Sequence, residues 1–457
     1  MTASRSDRPN VLLIMSDQQR FDYLGYMGAG FVRTPNLDRL AARGTVFTHC
    51  ITNAAVCAAA RIGLATGNQP FRVGSLSNSS FLPRSATTYY QRLRDYGYRV
   101  GCVGKLDLAK PDPYNGRHGD RPCVFGWGFT HPEECEGKMH AGSSPTPIGP
   151  YTHWLDERGL LKKFHEDYMA RRKQGWFKAC HDSVLPADAF EDCYIGRRAA
   201  EWIDKVPDDF PWHYFVSFVG PHDPFDAPAE YADRYRDAEM PKPIAPQPEG
   251  KSRAYTRRQC NMEADEIEKT RRMYCAAIEL IDDQVGLIIE ALEKRGMLEN
   301  TVILFASDHG EMLGDHGLYT KSLAYEQSMR VPLLMCGPGI PEAKRSDTLV
   351  ELIDVNATIC EASGLPPQEG IDARSLYPFL RGETERHRDD AFCCLEHFRC
   401  LRTETHKVVL NHNDCVECFD LVNDPDATTN VREGNSDIFG PLRSRIKQRL
   451  IEAKWMR

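Results

Sequence analysis

Five short, almost wholly apolar runs limit what this chain can fold into more than any other feature: Asn10 to Met15, Arg99 to Val103, His213 to Val219, Thr301 to Ala306 and Val331 to Cys336. Runs of that length without polar alternation belong to strands covered on both faces, as in a mostly parallel sheet between layers of helices. Helical patterns lie between them, notably Ala189 to Lys205 and Glu263 to Arg295. The chain therefore reads as a doubly wound α/β fold. Ligands in such folds gather outside the carboxyl ends of the strands. Four of the runs lead there into reactive side chains: the first into Asp17 and Gln18, the second into Lys105 and Asp107, the third into His222, the fourth into Asp308 and His309. These endings converge on one site.

Asp17, Gln18, Asp308 and His309 offer the donors of one divalent cation. Two carboxylates and an amide oxygen suit Ca²⁺ or Mg²⁺, with Ca²⁺ the first expectation. The imidazole draws Mn²⁺ into the set. A lone aspartate at such a place is more commonly a helix cap; two pairs at the ends of buried strands favour metal. A further Asp-His-Gly, Asp315 to Gly317, follows no strand and reads as loop.

Cys57 opens the run Cys57-Ala58-Ala59-Ala60-Arg61, ending at Thr66-Gly67. The small residues favour a helix, with Arg61 one turn above Cys57 on the same face. The side chain of Cys57 then lies at the positive end of that helix, where an anion is welcome.

A 41% apolar composition over 457 residues supports a sizeable core. The net charge of −8 excludes a polyanionic partner such as nucleic acid as the default reading. The N-terminus Met1 to Arg8 lacks the apolar run of a signal peptide and no stretch is long enough to span a membrane, so the expectation is a cytoplasmic protein with no membrane partner. On that expectation the sixteen cysteines read mainly as reduced, buried hydrophobes. Cys393, Cys394, Cys400, Cys415 and Cys418 match no zinc-knuckle spacing. The segment 106–190 is turn-rich and reads as a loop-rich insertion over the site. Pro241, Pro243, Pro246 and Pro248 mark an extended connector. After Gly364 the pattern changes to short strands, Cys400 to Arg402 and Lys407 to Leu410, and a closing helix from about Pro441 to Trp455. The expected division is thus a catalytic α/β domain over 1–364 and a smaller α+β subdomain with antiparallel strands over 365–457.

The order of motifs resembles the formylglycine-dependent sulfatases of the alkaline phosphatase superfamily. The resemblance runs from Pro9-Asn10-Val11-Leu12-Leu13-Ile14 into Asp17, through Thr34-Pro35-Asn36-Leu37-Asp38-Arg39-Leu40, the Cys57 to Gly67 segment, Gly104-Lys105, Pro221-His222-Asp223-Pro224 and Ser307-Asp308-His309-Gly310, to Phe419-Asp420-Leu421 and Thr429-Asn430. It implies an alkaline-phosphatase-like fold and an enzyme that hydrolyses small sulfate monoesters through a covalent sulfo-enzyme intermediate. It implies that a maturation enzyme oxidises Cys57 to formylglycine, whose hydrate attacks sulfur with one hydroxyl and expels sulfate when the other loses its proton. It places Asp17, Gln18, Cys57, Asp308 and His309 around the cation, with Arg61 supporting them. Lys105 and Lys321 then offset charge on the transferring group and His222 bonds it or assists the leaving oxygen. Lys321 lies in a Thr320-Lys321-Ser322 segment that reads equally as a solvated loop. A homo-oligomer is an open expectation.

Two departures matter. Gln18 stands where many sulfatases carry a second acid, and Gln18 with His309 resembles the branch of phosphonate monoester hydrolases and choline sulfatases; phosphonate monoesters or phosphodiesters are the alternative substrates. Asp107 stands where the family's Gly-Lys-x-His has histidine. A carboxylate there binds a cationic substrate group, acts as an acid if burial raises its pKa, or caps the next loop.

Overall fold

The computed structural model describes residues 8–247 and 249–455; the N-terminal stretch before Arg8 and Pro248 lie outside the described residues. In chain order the strands of the main sheet are β1 (Asn10–Ser16), β2 (Gly44–Ile51), β3 (Arg99–Gly104), β4 (His131–Glu134), β5 (Trp212–Ser217), β6 (Thr301–Ser307), β7 (Arg330–Val331), β8 (Leu333–Cys336) and β9 (Lys344–Glu351). Their order is β4-β3-β5-β1-β6-β8-β2-β7, with β9 beside β2. The block β4-β3-β5-β1-β6 is parallel throughout. β8 runs antiparallel to both β6 and β2.

β1 shows why its sequence has no alternation. Val11, Leu13 and Met15 enter the apolar cluster on one face of the sheet, and Leu12 and Ile14 the cluster on the other. Both faces are covered, so every position is apolar. The helices Glu191–Lys205 and Ala264–Lys294, expected from periodicity, cover one face.

The structure departs from the sequence reading in three places. The run Val331 to Cys336 is two strands, β7 and β8, divided at Pro332, whose nitrogen has no proton to give a ladder. β2 and β9 carry no clear sequence signal, because Thr45, Thr48, Lys344 and Arg345 interrupt their apolar residues. The segment 106–190 holds helices at Pro150–Glu157 and Leu161–Gln174 and contributes β4 to the sheet edge, more regular structure than its turn-rich composition suggests.

A second sheet follows, the antiparallel meander β10 (Ala391–Leu395), β11 (Phe398–Arg402), β12 (His406–Asn411) and β13 (Val416–Asp420). The closing helix, Ser436–Trp455, begins five residues before the expected start and keeps Pro441 inside it. Its Leu442 and Ile446 pack on Phe392, Leu401 and Val408 of the meander. All sixteen cysteines are free, and thirteen of them are buried.

Candidate active site

Each expected site residue reaches the carboxyl edge of the parallel strands. Asp17 and Gln18 follow β1 directly, Lys105 follows β3, Asp308 and His309 follow β6, and His222 lies five residues past β5. Cys57 is the first residue of the helix Cys57–Thr66, entered from extended Val56 and closed by Gly67 in the left-handed conformation. No side chain caps that helix at Val56, and the amide of Ala58 is satisfied instead by Asn78 Oδ1 at 3.1 Å.

Cys57 is fully buried, with its Sγ 3.1 Å from His309 Nε2 and 3.8 Å from Asp17 Oδ1. His309 Nδ1 faces the carbonyl of Gly310 at 3.0 Å. A carbonyl only accepts, so Nδ1 carries a proton and Nε2 is the ring nitrogen aimed at Cys57. One turn along the helix, Arg61 spans the two carboxylates: Nε donates to Asp308 Oδ2 at 2.8 Å and the terminal nitrogens to Asp17 Oδ2 at 3.0 Å and Ser217 Oγ at 2.7 Å. Lys105 bonds the same Asp17 oxygen. Burial and the Cys57 thiolate both push the Asp17 pKa up, yet Lys105 and Arg61 outweigh them and hold it below the usual carboxylate range. Burial likewise pushes the Cys57 thiol up, but Lys105, Lys110, Lys321 and His309 bring it well below the ordinary thiol value.

Lys321 is 8% exposed, which removes the solvated-loop reading of its segment. Its ammonium donates to Gln18 Oε1 and to His222 Nε2, the latter at 2.7 Å. His222 Nδ1 faces the Asp223 carbonyl at 2.7 Å, so His222 is neutral and accepts from Lys321. Gln18 has a positive φ of 67°, a conformation held by its backbone amide on Asp308 Oδ1 at 3.1 Å and its carbonyl on the Tyr274 hydroxyl at 2.6 Å. Its side-chain amide donates to Asp223 Oδ1 at 3.1 Å and to Glu311.

Asp107 also has a positive φ, 57°, and lies between Lys105, at 3.2 Å, and Lys110. Burial raises its pKa, and those two lysines bring it below the carboxylate norm. The option of a neutral acid at 107 is thereby corrected: the carboxylate is ionised because two cations flank it.

Sequence reasoning did not single out Asp223, Glu311, Ser217 or Asn78. Asp223 lies inside the quoted Pro221-His222-Asp223-Pro224 motif, and Glu311 two residues past His309, so both were findable from position. Ser217 and Asn78 reach the site only through sheet register and a loop. Asp315, in the second Asp-His-Gly, bonds Arg20 at 2.6 Å and Arg271 at 2.7 Å and serves as a structural ion pair.

The donor atoms of Asp17, Cys57, Asp308 and His309 all lie within 4.8 Å of one another and all four residues are buried. It is the one such group among the described residues. Two buried carboxylates and an imidazole nitrogen directed at a shared point fit a divalent cation.

This edge of a mixed α/β sheet, with its cysteine helix and acid–histidine cluster, is that of a hydrolase of the alkaline phosphatase superfamily. The chain belongs to the sulfatase family, whose model matches residues 9–365; the model described as N-sulphoglucosamine sulphohydrolase, C-terminal, matches 314–455. It is a sulfuric ester hydrolase. The choline-sulfatase of Rhizobium meliloti (strain 1021) is 29% identical over 456 residues, covering 93% of this chain and 83% of that protein. The arylsulfatase of Clostridium perfringens (strain 13 / Type A) is 28% identical over 406 residues, covering 84% and 80%. Among solved structures, the phosphonate monoester hydrolase of Agrobacterium radiobacter is similar with a TM-score of 0.81 and 26% identity, over 98% of this chain and 95% of that one. Among the described residues no helix is long and apolar enough to cross a membrane.

Proposed function

We propose that this chain cleaves small sulfate monoesters with a formylglycine made from Cys57, beside one divalent cation, Ca²⁺ before Mn²⁺ or Mg²⁺, held by Asp17, Asp308, His309 and Gln18. The observation that carries this reading is the position of Cys57 Sγ, 3.1 Å from His309 Nε2 and 3.8 Å from Asp17 Oδ1 at the start of a buried helix. A thiol there has no use for so many converging charges, whereas a metal-assisted nucleophile does. The cation supplies Lewis acidity to the nucleophile and to the ester oxygens.

The remaining work falls to side chains in hand. Arg61 fixes the two carboxylates so that neither turns away from the shared point. Lys105 and Lys321 set positive charge where the transferring group gains negative charge. His222, neutral at Nε2, passes a proton between Lys321 and the leaving oxygen. Cys57 has no exposure in the folded chain, so the maturation enzyme acts before the helix Cys57–Thr66 is buried. We take 1–364 as the catalytic domain and 365–457 as the smaller subdomain.

Mass spectrometry of the Cys57 peptide from the native host tests the nucleophile: a mass 18 Da below the thiol form is expected from the loss of H₂S and gain of oxygen, and intact thiol alone overturns it. The pairing of Gln18 with His309 and the similarity to a phosphonate monoester hydrolase support a second reading, cleavage of phosphonate monoesters or phosphodiesters at the same centre. Rates of the matured enzyme on an aryl sulfate, a phosphonate monoester and a phosphodiester decide between them. Faster turnover of the phosphorus esters rejects the sulfatase reading.

A further inference from the structure

The segment 106–190 lays a short helix, Lys138–Ser143, against three groups of the catalytic cleft at once. Gly137, just before it, lies on the stem of Lys105: a Cβ built there would be 3.2 Å from Lys105 Cδ and Cε. Lys138 is buried and donates to the carbonyls of His222, at 3.2 Å, and Pro224, at 2.7 Å, and pairs with Asp226 at 2.6 Å. His140, half-buried, shares a small cavity of about 80 Å³ with Lys105, Asp107, Lys110, Lys138 and His222.

The lining of that cavity identifies the part of a substrate it meets. Displacement at such a centre runs roughly in line, with the leaving oxygen opposite the nucleophile. None of Asp17, Cys57, Asp308 and His309 lines the cavity, whereas Lys105 and His222, which attend the transferring group, do. The cavity therefore opens on the side away from Cys57, where the leaving alcohol must go.

Every polar side chain in its wall but one is already engaged. Lys105 bonds Asp17 and Asp107, Lys110 bonds Asp107, and Lys138 is taken by two carbonyls and Asp226. His222 is held through both ring nitrogens, by Lys321 and by the Asp223 carbonyl. The ring of His140 has no hydrogen-bond partner among the described residues; its backbone amide alone is bonded, to the Gly137 carbonyl at 2.8 Å. Burial lowers the His140 pKa, and Lys110, Lys105 and Arg121 add to that against the pull of Asp107. The imidazole is thus neutral near neutral pH, with its one N–H free to donate.

We propose that His140 is a further catalytic residue, whose N–H donates to the alcohol oxygen of the ester as the bond from that oxygen to sulfur breaks. The inference deepens the sulfatase reading and rests on it. The electron pair of the breaking bond stays on the alcohol oxygen, and His140 meets the charge that builds there. The proton which that oxygen takes up still comes by way of His222. An alcohol that holds negative charge poorly needs the contact most. Para-nitrophenolate, which spreads the charge over its ring, needs it least.

The test compares kcat/KM of the matured parent, His140→Ala and His140→Gln on phenyl sulfate and para-nitrophenyl sulfate. His140→Ala is expected to lose about 100-fold on phenyl sulfate and no more than about threefold on para-nitrophenyl sulfate. His140→Gln, which keeps an N–H donor, is expected to recover part of the phenyl sulfate rate. A helix merely disturbed by the substitution slows both sulfates alike, so equal losses overturn the proposal, as does an unchanged rate on phenyl sulfate. If the matured parent cleaves neither sulfate, the sulfatase reading fails on its own. The same ratio measured on phenyl and para-nitrophenyl methylphosphonates then upholds or overturns the contact of His140 with the leaving oxygen.

Discussion

At Asp107 the local charge order is the question. The carboxylate is the one anion between Lys105 and Lys110, and Lys105 in turn bonds Asp17. Removing it leaves two lysines facing each other across a buried cleft and frees Lys105 to move away from Asp17. Asp107→Ala is expected to leave bound metal per chain intact, because Asp107 touches none of the four clustered donors, and to lower kcat roughly 10–100-fold through the misplaced lysine. Metal analysis alongside steady-state kinetics checks both halves, and unchanged kinetics return Asp107 to a structural role. The residue scale is also where the sequence was most legible. Asp17, Lys105, Asp308 and His309 each follow a recognisable strand, so their convergence follows from topology alone. That Arg61 bridges two acids, and that Lys321 is locked between Gln18 and His222, depends on rotamers and a two-residue turn that no periodicity encodes.

Elements hold those residues through close backbone approaches and buried polar groups. Gly104 ends β3 at a φ of 98°, and a Cβ built there would lie 1.9 Å from the carbonyl oxygen of Ser217 on β5. No side-chain movement relieves a collision with backbone, so β3 and β5 must part just where Lys105 begins. Gly104→Ala is expected to cost about 3 kcal/mol or more of unfolding free energy, read from denaturant midpoints. β5 also carries His213, fully buried between the Val11 carbonyl at 3.1 Å and the Tyr89 hydroxyl at 3.3 Å. Burial lowers its pKa from the ordinary 6.5 to about 3. The folded chain keeps it neutral while the unfolded chain takes up a proton below pH 6.5, so its contribution is complete above that pH and shrinks as pH falls toward 3. At pH 5 the loss is about 2 kcal/mol. His213→Gln should flatten that part of the stability profile; equal slopes for parent and variant between pH 7 and 5 would refute the assignment. β5 was legible as a strand because its neighbours are apolar, but β2 was not: Thr45, Thr48 and His49 sit among its apolar residues and its partners β8 and β9 lie almost three hundred residues away.

On the scale of the whole molecule, one buried ion cluster ties the main sheet to the meander. Glu351, at the end of β9, accepts from the β10 amide of Phe392 at 2.8 Å, from Gln69 past the cysteine helix at 2.8 Å, and from Arg449 of the closing helix at 3.1 Å. Arg388, just before β10, donates to Asp354 at 2.7 Å and approaches Glu351 at 3.6 Å, with both carboxylates fully buried. Burial pushes the Asp354 pKa up, and Arg388 with His387 more than offsets it and holds it far below the carboxylate norm. Arg388→Ala takes from buried Asp354 its nearest cation and leaves buried Glu351 with Arg449 alone, which is expected to cost about 3–5 kcal/mol at neutral pH. The sign of the pH effect follows. In the parent, Asp354 stays ionised when folded, so its contribution is present above the unfolded value near 4 and is lost only below it. In the variant the same carboxylate has lost its largest favourable charge, its folded pKa rises, and protonation relieves the burial on acidification. The difference in unfolding free energy between parent and Arg388→Ala should therefore be smaller at pH 5 than at pH 7.5. A difference that stays constant across that range would mean that Arg388 contributes by packing, and that the two sheets are joined by their apolar contacts rather than by this cluster.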